Sequence, residues 1–326
     1  MKSKLIYVFA IVVIFLLMAI ELQAQTIDEG VAFIQSGKFA EARKVFEQII
    51  EKDDKNAEAH FQLGQIFLNR AYAERNVDEA VDQLEKAVDL NPNNADYQYG
   101  YGAALGEKAQ HAGVIKQAFL APKIKNAFKR AVELNPQHVR ARIGLAQYYI
   151  MAPSIMGGDE EEGWRQLDEA IKINELEGRF VKASMLARAK KSNEANEEYK
   201  TLVASKPKEW RAWKAYGNFC LRNERFDEAI KLFQKYVELR PDTADSFHSL
   251  GQGFLKKGDT EHAITMFRKA FELDKKYLSS LEYMGDAYQM KGQKKEAKEM
   301  YQAVLGHNDL NDSYRKKVEN KLKEVE

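Results

Sequence analysis

The chain has 326 residues, of which 45% are hydrophobic, 30% are charged and only six are proline. This composition supports a folded protein with a substantial core and argues against a disordered chain. Fifty basic residues against 49 acidic ones give a net charge of +1, and no long run of one sign favours nucleic acid as a partner. A single core would be near its upper size limit at this length, so two domains or a repeat array are expected.

The first two dozen residues have the pattern of a secretory signal peptide. Lys2 and Lys4 precede an apolar run over residues 5–20, and a short stretch containing Ala24 leads into polar sequence. A basic start, an apolar stretch and a small residue before the polar chain are typical of a cleaved signal. We therefore expect residues 1–24 to be a signal peptide, cleaved after Ala24. An uncleaved anchor is the alternative, because the run is slightly longer than most signal-peptide apolar stretches.

Small residues recur with a fixed period in the second half of the chain. Alanines and glycines keep a spacing of 34 residues, at Ala195, Ala229, Ala263 and Ala297 and at Gly217, Gly251 and Gly285. An aromatic residue follows each alanine by four positions, which puts the two side chains one turn apart on one helix face. The period predicts two antiparallel helices per repeat, in close contact at the glycines.

One repeat carries the residues of a known pattern most completely. The segment 210–243 contains Trp213, Tyr216, Gly217, Cys220, Ala229, Phe233 and Pro241. It resembles the tetratricopeptide repeat, whose pattern has tryptophan, leucine-glycine, tyrosine, alanine, phenylalanine and proline at these positions. Tyr216 and Cys220 depart from leucine and tyrosine, but both side chains can still pack. The resemblance implies an all-α, right-handed superhelical solenoid of helix pairs.

The pattern extends over nearly the whole chain. We expect about eight helix pairs within residues 25–311, near 25–56, 57–94, 95–138, 139–177, 178–209, 210–243, 244–277 and 278–311. The lysine- and glutamate-rich stretch 312–326 is expected to form the capping helix that closes a solenoid.

Repeats two, three and four are longer than the 34-residue period. The extra residues fall between the two helices of each repeat, within 69–76, 106–122 and 151–163. In repeat arrays, insertions map to loops on one face, which is often the binding face. We therefore expect a ridge of inserted loops along one edge of the N-terminal half.

The third insertion combines apolar and acidic residues. Ile155 and Met156 precede Asp159, which is followed by three glutamates. Asp159 suits a helix N-cap and the glutamates suit the positive end of that helix, which is a purely structural interpretation. The alternative is that Ile155, Met156 and Asp159 contact a partner. The oxygens do not alternate as a calcium loop requires.

The family resemblance also implies which side chains line the concave groove. In tetratricopeptide proteins the second, fifth, ninth and twelfth positions of each repeat tend to face it. The predicted partner-binding residues are Phe61, Gln65, Tyr99, Arg140, Gln147, Lys214, Asn218, His248 and Gln252. Packing of Phe61 and Tyr99 between neighbouring first helices is the alternative. The family's carboxylate clamp is not predicted, since Ser249, Ser279 and Tyr283 replace its polar and basic residues.

These features predict a protein-binding adaptor or scaffold that engages an extended or helical segment of one or more partner proteins. The signal and the family's common use place it in a bacterial periplasm or cell envelope. No catalytic residue, metal site or cofactor is predicted, because the histidines are dispersed and no catalytic motif occurs. A protein that binds a glycan or other small ligand is the alternative, with stacking on Tyr97, Tyr99 and Tyr101 and contacts from the inserted loops. An enzyme comes third.

Overall fold

The computed structural model describes residues 27–308 and 310–326, so the predicted signal peptide lies outside the described residues. Every regular element in the described residues is a helix, which confirms the predicted all-α class. The chain divides into two compact units, the first ending at Gly178 and the second beginning at Arg179.

The first unit consists of antiparallel helix pairs in chain order. Its helices are α1 (27–35), α2 (Phe39–Lys52), α3 (Ala57–Leu68), α4 (Val77–Leu90), α5 (Ala95–Gln110), α6 (Val114–Leu134), α7 (Val139–Met151), the short 3₁₀ helix η1 (Ser154–Met156) and α8 (Glu160–Ile173). Within it, α3 packs on α4, α5 on α6 and α7 on α8.

The second unit repeats this arrangement. Its helices are α9 (Glu175–Arg188, of which the part from Arg179 belongs to this unit), α10 (Ser192–Ser205), α11 (Trp210–Arg222), α12 (Phe226–Leu239), α13 (Ala244–Lys257), α14 (Thr260–Leu273), α15 (Leu278–Met290), α16 (Lys294–Leu305) and α17 (Asp312–Val325). Here α11 packs on α12, α13 on α14 and α15 on α16.

The periodic glycines and aromatics form one repeated contact. A side-chain carbon placed on Gly251 would lie 2.6 Å from the ring of Phe267, and one on Gly285 would lie 2.4 Å from the ring of Tyr301. The two helices of a repeat therefore approach so closely that a ring of the second helix covers the bare backbone of the first. Any larger residue at these glycines has to displace the ring.

The insertions are built in different ways. Residues 69–76 form a loop between α3 and α4, and residues 152–159 form a loop that contains η1. The insertion within 106–122, which we expected to be a loop, is instead largely helical, because α5 continues to Gln110 and α6 begins at Val114. Its extra residues lengthen both helices and make α6 a helix of 21 residues.

Helix α17 packs on the last repeat through apolar and ionic contacts. Val318 and Val325 are buried, and the Lys317 and Lys321 ammonium groups lie 2.7 and 2.5 Å from a carboxylate oxygen of Glu282. Burial alone would raise the pKa of Glu282, but the hydrogen bonds from the two lysines hold it below its ordinary value. The carboxylate of Glu282 is thus charged and paired although it is buried.

Candidate functional site

The first unit contains a cavity of about 550 Å³ between α5, α6, α7 and η1. Its walls are mostly apolar, with Ala103 from α5, Ile124 and Phe128 from α6, Ile143 from α7 and Met156 from η1. We call it the α5–α7 cavity. Its volume lies within the range of about 300 to 1,000 Å³ that is usual for ligand pockets.

Residues predicted for the groove and for the inserted loop line this same cavity. Tyr99 comes from α5, and Arg140 and Gln147 come from α7, where their separation of seven residues places them two turns apart on one face. Met156 of η1 also lines the cavity. The first helices of repeats three and four and the third insertion thus supply a single site.

The loop that carries η1 is fixed by several bonds. The Tyr148 hydroxyl donates to the carbonyl of Met156, the Asp159 N–H donates to the carbonyl of Tyr149 at 2.9 Å, and Lys125 donates to the carbonyl of Gly157 at 3.4 Å. The carboxylate of Asp159 in turn accepts from the N–H of Glu162 and caps α8. The cavity wall formed by η1 is therefore built into the fold.

Polar groups stand at the edge of the apolar lining. The Tyr99 ring packs against His138 and Phe128 with ring centroids 5.1 and 6.1 Å away, and burial raises the pKa of its hydroxyl. Within the described residues, neither the Tyr99 hydroxyl nor the Gln147 amide hydrogen-bonds to another side chain or backbone group. The Arg140 side chain is 71% exposed and lies 3.9 Å from Glu177.

The other groove candidates of the first unit contact a neighbouring first helix. Phe61 on α3 stacks on Tyr97 of α5 with ring centroids 4.8 Å apart. Gln65, one turn further along α3, lies against Gly100, where an added side-chain carbon would meet its amide nitrogen at 2.9 Å. Both side chains thus pack between first helices, which is the alternative that the sequence left open for Phe61.

The candidates of the second unit lie along α11 and α13, and none of them lines the α5–α7 cavity. Lys214 pairs with Asp245 at 2.7 Å, while Asn218 and Gln252 are half-buried. His248 is only 6% exposed, and burial lowers its pKa to about 4. His248 is therefore a neutral core side chain and is not displayed on an open surface.

The inserted-loop residue Ile155 points outward. It is 94% exposed and does not line the α5–α7 cavity. Three further apolar residues, Val114, Ile115 and Phe119, are strongly exposed on the first turns of α6. They were not among the predicted site residues, although apolar residues inside an insertion that has no place in the repeat core were a signal for them.

Neither a metal site nor a membrane-spanning helix occurs in the described residues. In the described part of the chain, no three or more His, Cys, Asp or Glu residues are placed to hold a metal ion. No helix over residues 27–308 and 310–326 has the length and apolar character needed to cross a bilayer.

Three family models match separate parts of the chain. The tetratricopeptide repeat model matches residues 27–71, the model of regulator of microtubule dynamics protein 1-3 matches residues 55–149, and the middle TPR-like domain of cilia and flagella-associated protein 70 matches residues 174–305. Each match covers less than half of the chain.

Comparison with individual proteins points to the same fold. The chain is 26% identical over 148 residues to tetratricopeptide repeat-containing protein trd-1 of Caenorhabditis elegans, a match to 45% of this chain but only 17% of that protein. Yeast Tom70 superposes with a TM-score of 0.63 at 12% identity, over 88% of this chain and 58% of that one. A tetratricopeptide repeat protein from Parabacteroides merdae has a TM-score of 0.53 at 16% identity, over 83% and 98% of the two chains. The chain thus has the all-α tetratricopeptide-repeat fold, a fold that generally mediates protein–protein interactions.

Proposed function

We propose that this chain is a protein-binding adaptor or scaffold that holds a segment of a partner protein in the α5–α7 cavity. The observation that carries the proposal is the convergence of Tyr99, Arg140, Gln147 and Met156 on one apolar cavity. A site lined by apolar side chains with a few polar groups at its edge suits the anchor residues of a partner segment. The bonds that fix η1 keep the site preformed, so the ordering cost of binding falls mainly on the partner.

A test of this proposal is photocrosslinking in cells from position 147, followed by mass spectrometry. Gln147 is exposed and lines the cavity, whereas Glu272 on α14 is exposed in the other unit and serves as the control position. We expect a discrete protein adduct from position 147 and none from position 272. Equal adducts from both positions, or none from position 147, would contradict the proposal.

Filling the cavity should abolish this adduct. Ala103 is half-buried in the cavity wall, and an indole in its place would occupy the space that the partner segment needs. We expect Ala103→Trp to reduce the yield of the adduct about tenfold, which corresponds to a loss of about 1.4 kcal/mol of binding free energy. The matched control is Ala303→Trp on α16, where the residue is exposed. Circular dichroism of both variants establishes that they fold, and an unchanged adduct in folded Ala103→Trp would exclude the cavity as the binding site.

We also propose that the protein acts outside the cytoplasm, in the periplasm or envelope of a bacterium. The support is the basic, apolar and small-residue pattern of residues 1–24. A fusion of residues 1–36 to alkaline phosphatase, which needs the disulfides of an oxidising compartment, should be active, and a fusion of residues 25–36 should not. The mass of the secreted chain then shows whether cleavage follows Ala24. An inactive long fusion would overturn this assignment.

A glycan or other small ligand is the second candidate, favoured by the cavity volume of about 550 Å³. Of the three tyrosines considered for stacking on a sugar, Tyr97 and Tyr101 are buried and donate to Glu58 and Glu85. Of these three tyrosines, Tyr99 is the one that lines the α5–α7 cavity. Calorimetry with peptidoglycan fragments distinguishes the two candidates. A heat of binding that is seen with the wild type and lost in Ala103→Trp would favour the small ligand.

A further inference from the structure

We infer that the segment held in the α5–α7 cavity is an amphipathic helix with two bulky apolar residues one turn apart and an acidic residue that meets Arg140. The inference rests on the proposed protein-binding function and specifies the chemistry of the partner. The size of the cavity, the exposed Val114 on the same face of α6 and the pairing of the charges around the cavity support it.

The cavity has room for more than one side chain. An engineered cavity of about 150 Å³ is large enough to bind benzene, whereas the α5–α7 cavity measures about 550 Å³. Its deeper lining is apolar, with Ile124, Phe128 and Ile143 on three different helices. Two leucine- or phenylalanine-sized anchors therefore fit the space better than one.

The face of α6 that lines the cavity ends in an exposed apolar residue. Gln117 and Ala121 line the cavity, and Val114 lies on the same face of the helix, three and seven residues before them. Val114 is strongly exposed, and it extends this face about 10 Å beyond Ala121. A helix that lays one apolar face along such a surface can place anchors on successive turns, as helix-in-groove complexes do.

The charges at the cavity are paired unequally. Glu107 is mostly buried and is held by Arg75 at 2.6 Å and by Arg70 at 3.9 Å, so its charge is already matched. Arg140 has Glu177 at 3.9 Å, and both side chains are exposed. A surface pair at this distance contributes little and is easily exchanged. Among the described residues that line the cavity, the guanidinium of Arg140 is thus the positive charge that remains available.

An acidic side chain is the group that suits this guanidinium. Arginine binds a carboxylate through two parallel N–H···O bonds, which are stronger than bonds between neutral groups. The Gln147 amide lies two turns further along the same face of α7 and can hydrogen-bond other polar groups of the helix. Apolar anchors in the cavity and a carboxylate at Arg140 together define an amphipathic helix with an acidic edge.

The test is a selection from two displayed libraries, one of helical peptides with randomised surface positions and one of unstructured peptides of the same length, carried out on the full chain and on its Arg140→Glu variant. The wild type should enrich two apolar residues one turn apart with Asp or Glu on the next turn. Arg140→Glu should keep the apolar pair and enrich Lys or Arg instead. Arg211→Glu is the matched control, since Arg211 holds the equivalent repeat position in the second unit and is also exposed.

Binding of one selected peptide then measures the contact directly. By fluorescence anisotropy, Arg140→Glu should weaken binding of the acidic peptide about tenfold, and a Glu→Gln change in the peptide should weaken binding to the wild type by a similar factor. The peptide change should have no further weakening effect on the Arg140→Glu variant, as expected for two groups that contact each other. Arg211→Glu should bind like the wild type.

The outcomes separate this inference from the function on which it rests. Enriched peptides without an acidic preference, or the same peptides from wild type and Arg140→Glu, would overturn the acidic contact and leave protein binding in place. Enrichment of extended, proline-containing peptides would overturn the helical partner. The same selection on the Ala103→Trp variant serves as the background. If the wild type enriches no peptide beyond this background, both the inference and the proposed function of the cavity fail.

Discussion

Replacement of Phe267 by alanine is expected to lower the free energy of unfolding of the second unit by about 3–5 kcal/mol. The Phe267 ring is fully buried, covers the backbone of Gly251, and lies 5.2 and 5.5 Å from the rings of His248 and Tyr283. Alanine would remove the contact of this ring with Gly251 and leave a cavity where α13 and α14 approach closely. The close approach of α13 to α14 fixes the packing of this repeat. The surrounding core therefore has little freedom to fill the cavity that the ring leaves.

Urea unfolding followed by circular dichroism measures this loss, and hydrogen exchange of peptides from α13 to α15 assigns it to the second unit. The matched control is Phe119→Ala on α6, where the ring is 75% exposed. The control should change stability by no more than about 0.5 kcal/mol. A loss below about 1 kcal/mol in Phe267→Ala would mean that the glycine–aromatic contact does not carry the stability of the repeat.

The sequence was sufficient to predict this contact because both partners lie within one repeat. The glycine of the first helix and the aromatic residue of the second recur together, for example Gly217 with Phe233 and Gly285 with Tyr301. Local helix geometry and a short turn bring them together in every copy, so a period in the sequence becomes a contact in the structure. The all-α repeat fold was predictable for the same reason, and it is confirmed.

The α5–α7 cavity was less predictable, because it depends on departures from the period. Tyr99, Arg140 and Gln147 were predicted from their repeat positions, but part of the lining comes from the lengthened α6 and from η1. No rule of the repeat states that an insertion of about ten residues will extend two helices. Ile124 and Met151 consequently had no assigned role in the sequence analysis, although both line the cavity.

His248 shows why a repeat position alone does not determine exposure. It occupies the fifth position of its repeat, as Phe61 and Ile143 do in theirs, yet its surroundings include the last residue of its own repeat and two residues of the next. The rings of Tyr277 and Tyr283 lie 5.1 and 5.0 Å from its imidazole, and Ser280 lies 3.1 Å from Nδ1. These residues are about 30 positions away in sequence, so their size decides the burial of His248.

This burial has a measurable consequence, because lowering the pH from 7 to 5 should destabilise the second unit by about 2 kcal/mol through His248 alone. Desolvation lowers the pKa of His248 from 6.5 to about 4, against the opposing effects of Asp245 and Glu282 and with a smaller contribution from Lys214. Between pH 6.5 and pH 4, the unfolded chain therefore binds a proton at His248 that the folded chain does not bind. The contribution to stability is complete above the unfolded pKa and is lost as the pH falls towards the folded pKa.

The window from pH 7 to 5 separates His248 from the carboxylates that face it. The lysines paired with Asp245 and Glu282 hold both pKa values below their ordinary range. The stability that these two carboxylates contribute is therefore lost only when the pH falls below the ordinary carboxylate pKa of about 4. A change in stability between pH 7 and 5 is thus expected from the histidine and not from the acids.

Urea unfolding at pH 7 and pH 5 tests this for the wild type, for His248→Phe and for His262→Gln. Phenylalanine keeps a ring in the core but cannot take up a proton, so His248→Phe should remove most of the pH dependence. His262 is exposed on α14, where its ring contacts Asp259, and its replacement should change the dependence less than His248→Phe does, because exposed pairs contribute little to stability. If His248→Phe kept the full loss at pH 5, the destabilising proton would have to bind elsewhere. The packing of His248 against α15 would then be no barrier to protonation.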